Sequence, residues 1–327
     1  GLAGIGTAAG PIIGGGFAST IGWRWVFLIN VPIAAIGVIW GMRQLKESKD
    51  SELAGKSMRN LDWLGVLLIA VGIGGVSLGI DDVSIAGMVP ITYIPAILGI
   101  AAIVAFSFWE RRAAWPLTPP VLMKNRNFTA LVVASTIANM GICVMIFVST
   151  LYLQQVRGYS GLAAGLMFIP AAIGLSIGGP ISGRLASRVP GQRVMTVAML
   201  VGALSLALLA VSGNIAIFLV VMAFSSFSLG MGYQFGNIAV QSVVPEQQSG
   251  AAAGVLLTLM VALGGVAVVV ASATMEAVGG AAGITQSAIS ITLYSWAALV
   301  GILGTIFGLT QWKNAKVPVD AASGSVA

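Results

Sequence analysis

Apolar positions along this chain neither alternate nor follow a helical stripe against a polar face. They run on for 18 residues or more at a time, interrupted by short polar breaks. Such runs match the roughly 20 residues a helix needs to cross a hydrocarbon core about 30 Å thick. The pattern predicts ten membrane helices, at about 1–18, 24–42, 62–80, 92–110, 128–152, 161–183, 194–212, 214–240, 250–275 and 289–312. A membrane β-barrel would instead show alternating segments of about ten residues, and none occur. The fold class is therefore an all-α polytopic membrane protein.

Composition agrees. Of 327 residues, 57% are hydrophobic and 8% charged, against roughly 25% charged in soluble domains. The mean hydropathy is +0.99. No residue is histidine, which excludes a histidine proton relay, and the single Cys143 excludes an internal disulfide or a cysteine metal site. No cofactor or metal is expected.

The net charge of +6 would suit nucleic acid in a soluble protein, but its placement explains it otherwise. Arg43, Lys46, Lys49, Lys56, Arg59, Arg111, Arg112, Lys124, Arg126, Arg184, Arg188, Arg193, Lys313 and Lys316 all fall on one side of a ten-helix count. Only Arg24 and Arg157 fall on the other. Cytoplasmic loops concentrate Lys and Arg, so the first helix runs outward and the C-terminus is expected in the cytoplasm. A missed helix would scramble this separation. The charge orients the chain in a bilayer, and no nucleic-acid partner is implied.

The opening stretch GTAAGPIIGGG (6–16) places helix breakers inside a span. Gly6, Gly10 and Gly14 share one face at a period of four. In lipid such a face lets two backbones approach closely, and Pro11 removes a backbone hydrogen bond and bends the helix. The pattern is open to two readings: ordinary packing, or a seam that seals in one conformation and parts in another.

Five segments together carry a family resemblance. Gly6, Gly10, Pro11, Gly14 and Gly15 match the antiporter motif of the major facilitator superfamily. GWRWVFLINVP (22–32), LDWLGVLLIAVG (61–72), LYLQQVRGYSGLAAGLMFIP (151–170) and VPEQQSGAAAGV (244–255) resemble successive segments of its fourteen-helix drug/proton antiporters. The resemblance covers about residues 1–315 and implies that the ten helices correspond to helices five to fourteen. Four upstream helices of the same protein are then expected as partners, consistent with a chain that starts at Gly1 rather than Met. It further implies three parts: 1–42, the last two helices of an N-terminal bundle; 43–127, a cytoplasmic linker and two extra central helices; and 128–327, a six-helix C-terminal bundle of two inverted three-helix repeats.

The function implied is export from the inner membrane of an amphipathic drug or metabolite in exchange for protons, not enzymatic catalysis. A facilitator-type importer or uniporter and a non-transporting membrane scaffold are the alternatives. Polar residues within spans are costly and commonly functional. Gln234, Asn237 and Gln241 lie at i, i+3 and i+7 on one face of a helix that the resemblance places along the central cavity. Tyr233 and, in the helix 128–152, Asn139 are further cavity candidates. For each, hydrogen bonding between helices is the competing reading. No carboxylate sits at mid-span. Glu276, then Asp81 and Asp82, are the candidates for a proton or cation site, against the plainer reading of helix-end charges. GRLASRVPGQR (183–193) resembles a degenerate copy of the superfamily's cytoplasmic loop through Gly183, Leu185, Arg188, Gly191 and Arg193. Ser187 stands where an acid is expected.

Overall fold

The computed structural model describes residues 10, 13–17, 19–44, 62–86, 90–113, 117, 120–186, 188–245, 248–280 and 283–311. The described residues are overwhelmingly helical, with no strand among them. Residues 10, 13–17 and 19–20 are helical and belong to the first expected span. There follow α1 (Arg24–Leu28), α2 (Asn30–Gln44), α3 (Trp63–Ala86), α4 (Ile94–Glu110), α5 (Pro120–Lys124), α6 (Arg126–Leu151), α7 (Gly161–Met167), α8 (Ile169–Ala186), α9 (Gly191–Val211), α10 (Ile215–Ser242), α11 (Ser249–Gly279) and α12 (Gln286–Gln311).

Eight helical stretches among the described residues are long and apolar enough to cross a membrane, and α4 is a shorter ninth of 17 residues. The first expected span lies largely outside the described residues. Two expected helices are divided. The second breaks at Ile29, between α1 and α2. The sixth breaks at Phe168, between α7 and α8. Pro170 lies two residues on and donates no N–H to the turn before it.

The fifth expected span is extended rather than divided. α6 continues into a π-helical turn, Tyr152–Val156. The segment 116–128, expected as a strap or short amphipathic piece, contains α5, whose Leu122 is buried in the core.

Helix starts are set by short polar side chains that accept from orphan backbone N–H groups. Asn125 does so for α6 through Asn127 and Phe128, at 3.0 and 3.2 Å. Ser160 caps α7, and Asn214 caps α10. Asp62 accepts from the Gly65 N–H at 2.9 Å at the start of α3.

α6 is the centre of the six-helix assembly 126–311. It packs against α9, α10, α11 and α12 and buries Phe128, Met145 and Val148 completely. α10 joins α8 on one flank to α9 on the other, and α9 packs on α12. α3 and α4 form a tight hairpin, and α3 also packs on α11. Its seam is made of glycines: a Cβ on Gly75 would lie 2.9 Å from the Gly99 Cα. The glycine-rich run VGIGGVSLG (71–79) is thus a packing surface. α2, by contrast, has no buried residue.

Cross-links at the two ends separate cleanly. At the basic end, the Trp109 indole N–H donates to both Asp62 carboxylate oxygens at 2.8 and 3.0 Å, and Asn125 Nδ2 donates to the Val243 carbonyl at 3.2 Å. At the other end, Ser290 Oγ donates to the Ala210 carbonyl at 2.8 Å, and Arg157 donates to the Gly213 carbonyl. Every pair joins groups that the charge distribution had assigned to the same side.

Candidate functional site

The first described helix meets the six-helix assembly through glycine. A Cβ on Gly15 would fall 2.6 Å from the Gly161 carbonyl carbon and closer still to its oxygen, with the Leu162 nitrogen at 3.2 Å. All three are backbone atoms, so no side-chain movement makes room. Gly16 lies against the Leu162 side chain, whereas nothing lies within 4 Å of a Cβ on Gly10, and Gly14 only grazes Val26 within its own hairpin. Of the opening motif, Gly15 is therefore the point of closest approach among the described residues. Gly6 and Pro11 lie outside them.

A second seam of the same kind joins α8 to α10. A Cβ on Gly174 would lie 3.1 Å from the Ala223 carbonyl carbon and 3.2 Å from the Phe227 nitrogen, with the Ala223 oxygen nearer again. Gly178, one turn on, stands at ordinary contact distance, 3.5 Å from the Phe227 oxygen. Gly174, Gly178, Gly179 and Pro180 repeat the glycine–proline composition of the opening motif in the same apolar setting. That recurrence was visible in the sequence, but composition does not say which glycine meets backbone.

The polar candidates divide. Gln234 Nε2 donates to the Leu175 carbonyl at 2.9 Å, bridging α10 to α8. Asn139 Nδ2 donates to the Met260 carbonyl at 2.8 Å, bridging α6 to α11. Both amides tie helices together, the competing reading for each. Asn237 donates to the Tyr233 carbonyl one turn back, at 3.0 Å. Tyr233 and Asn237 are half-buried and Gln241 is exposed. The accessible polar face is thus Tyr233, Asn237 and Gln241, at i, i+4 and i+8, with Gln234 turned away into the seam.

The acidic candidates are not brought together with these groups. Glu276 is exposed near the end of α11 and accepts from Ser272 Oγ at 3.2 Å. Asp81 and Asp82 lie in the last turns of α3, which runs on to Ala86 instead of ending before them. In the loop 183–193, Gly183 and Arg188 are exposed, and Arg193 lines a cavity between helices. Among the described residues no group of His, Cys, Asp or Glu is arranged to hold a metal ion.

Glycine-sealed seams within a polytopic helical assembly narrow the possibilities, and comparison with known proteins decides between them. The model of the Major Facilitator Superfamily matches residues 1–269. The chain belongs to that superfamily. Its members are transporters rather than enzymes. Among curated relatives of this facilitator chain is a Multidrug resistance protein B homolog of Mycobacterium tuberculosis, strain H37Rv. It is 28% identical over 253 residues, 74% of this chain and 46% of the relative. The Putative multidrug resistance protein MdtD of Yersinia pestis, strain Pestoides F, is 28% identical over 247 residues, 74% of this chain and 52% of the relative. The chain spans about half the length of the curated relatives it matches.

One cluster in this facilitator chain escaped sequence reading. Arg157 Nε donates to the Tyr152 hydroxyl at 2.8 Å, and its other end donates to the Gly213 carbonyl. The Tyr152 ring stacks on Phe218 with centroids 4.5 Å apart. The π-helical turn and Gly158, at φ +71°, reverse the chain to bring Arg157 there. Its signal was its isolation: Arg157 is one of only two basic residues on the sparsely charged side.

Proposed function

We propose that this chain forms part of a proton-coupled exporter of amphipathic drugs or metabolites, working by alternating access in the inner membrane with its C-terminus in the cytoplasm. The observation that carries the reading is the backbone contact of Gly15 with Gly161, which lies within the matched superfamily region. It supports a seam between the helix of the opening motif and the assembly 126–311, one that closes in this conformation and opens in another. The multidrug names of the relatives support the substrate class. The division into 1–42, 43–127 and 128–327 follows on this reading, with the first part docking on four helices that precede it in the whole transporter.

Tyr233, Asn237 and Gln241 then offer an aromatic and polar face to a small molecule, with Asn139 and Gln234 holding the helices that frame it. Glu276, Asp81 and Asp82 are the proposed proton or cation sites in this chain. The test uses everted vesicles containing the whole transporter and ethidium as an amphipathic probe. Uptake should cease when the proton gradient is collapsed. It should fall steeply in Gly15→Ala, whose Cβ meets the Gly161 backbone. Ethidium movement unchanged after collapse of the gradient would refute proton coupling, and normal transport by Gly15→Ala would refute the role of the seam.

A further inference from the structure

α11 runs without a break from Ser249 to Gly279, yet it carries two consecutive glycines, Gly264 and Gly265, in its middle. Glycine is among the poorest helix formers, and inside a span it ordinarily marks close packing. Gly264 fits that description. It is buried, and a Cβ there would lie 3.0 Å from Asn139 Nδ2 and 3.1 Å from Cys143 Sγ, both side chains of α6. Gly265 does not fit it. It is exposed, and a Cβ there would meet nothing within 4 Å among the described residues. What glycine supplies at 265 is backbone freedom rather than room.

The group that faces this pair is a carboxamide. Asn139 Nδ2 donates to the Met260 carbonyl at 2.8 Å and lies 3.8 Å from Cys143 Sγ. Within the ladder of α11 the Met260 carbonyl serves the Gly264 N–H, four residues on. The side chain of α6 therefore bonds to the acceptor whose helical donor is Gly264. Among the described residues no group donates to Asn139 Oδ1. A carboxamide carries the donor and the acceptor of a peptide group. When the Gly264–Met260 bond opens, Nδ2 keeps the carbonyl satisfied and Oδ1 is the acceptor at hand for the freed N–H. In a span, orphaned backbone groups are tolerated only where a neighbouring helix satisfies them, and a side chain inserted in the ladder is an ordinary cause of a bend.

We propose that Gly264–Gly265 is a hinge of α11 and that Asn139 is the group that lets it bend. In the straight helix of this structure the carboxamide holds the Met260 carbonyl from outside the ladder. In the bent state it enters the ladder between Met260 and Gly264. Glycine at 264 leaves room for it, and glycine at 265 takes up the change in backbone angle. The two halves of α11 then move separately against α6. The use of the hinge rests on the alternating-access reading above, but its existence is tested without substrate or proton gradient, so failure of either leaves the other standing.

Cys143 is the reporter, the one cysteine of this chain, half-buried beside the amide. Insertion of the carboxamide draws it off Cys143 Sγ, so alkylation by N-ethylmaleimide should track the bent state. The rate is measured on the whole transporter in lipid nanodiscs, with the Cys143 adduct located by peptide mass spectrometry. Gly265→Ala should slow alkylation about two- to fivefold, the preference of a helix for Ala over Gly. Asn139→Leu, which keeps the volume but has neither donor nor acceptor, should slow it at least as much. The double variant should be no slower than Asn139→Leu alone, since both changes remove one state. Gly254→Ala, at an exposed glycine of the same helix with nothing described within 4 Å, should leave the rate unchanged. Faster alkylation in Asn139→Leu would reduce the amide to a tie between helices, and faster alkylation in Gly265→Ala would make that glycine a packing contact; either overturns the hinge. So would an unchanged rate in Gly265→Ala, multiplied effects in the double variant, or equal slowing by Gly254→Ala. Should Asn139→Leu fail to fold, Gly265→Ala against Gly254→Ala decides alone.

Discussion

Replacing Gly174 by Ala should loosen the six-helix assembly more than the same change at any neighbouring glycine of α8. The added Cβ would lie 3.1 Å from the Ala223 carbonyl carbon, 3.2 Å from the Phe227 nitrogen and nearer still to the Ala223 oxygen. These are atoms of the α10 backbone, fixed by its own hydrogen-bond ladder, so relief requires α8 and α10 to part. A separation of even ~1 Å forfeits a quarter to a half of each contact along the seam. Overpacking of this kind costs about 1–3 kcal/mol. Helix propensity acts in the opposite direction, since Ala is favoured over Gly by about 0.5–1 kcal/mol in a helix interior. Gly178→Ala and Gly183→Ala isolate the two effects. At 178 the new methyl stands 3.5 Å from its nearest neighbour, and at 183 it meets nothing among the described residues. The expected order of stability is therefore Gly183→Ala at or above wild type, Gly178→Ala near it, and Gly174→Ala clearly below. Thermal unfolding of the purified protein in a mild detergent reads this order directly. The reasoning is refuted if Gly174→Ala melts with Gly183→Ala, because the seam would then not be limited by backbone contact.

Two further outcomes follow from the ends of the helices. Asp62→Ala removes both the acceptor for the Gly65 N–H and the acceptor for the Trp109 indole, and loss of such a cap costs about 0.5–2 kcal/mol. Hydrogen exchange at the first turn of α3 should quicken, with Asp62→Asn retaining most of the protection. Arg157→Gln should free the Gly213 carbonyl and the Tyr152 hydroxyl together. Exchange should then quicken at residues 212–214, while the end near Asn125 and Val243 stays unchanged; equal quickening at both ends would contradict a local clamp.

Much of the architecture was legible before any coordinates. Runs of apolar residues set the approximate limits of the spans that the described residues contain, because a bilayer demands that length of any helix crossing it. The one-sided placement of Lys and Arg set which ends lie together. Asp62 stands at the start of α3, a position that suits a carboxylate electrostatically. The site was less legible. Gln234, Asn237 and Gln241 share a face by spacing alone, yet Gln234 is drawn into the α8 seam by the Leu175 carbonyl, and Tyr233 takes its place in the accessible row. Asn139 had no periodic partner to suggest that the Met260 carbonyl on α11 would claim it.

By itself, then, the amino-acid order determined a polytopic helical protein, the approximate place of its described spans and the segregation of its charge. These are local properties, settled by each segment's dealings with lipid and water. Tertiary structure decided which small residues carry the seams. Gly10 and Gly15 stand five residues apart in one motif, and only Gly15 meets a backbone, that of Gly161 some 146 positions later. In lipid, helices gain little from merely leaving the solvent and associate through close packing. Which faces pack closely depends on the shape of the partner, and no single helix encodes that shape.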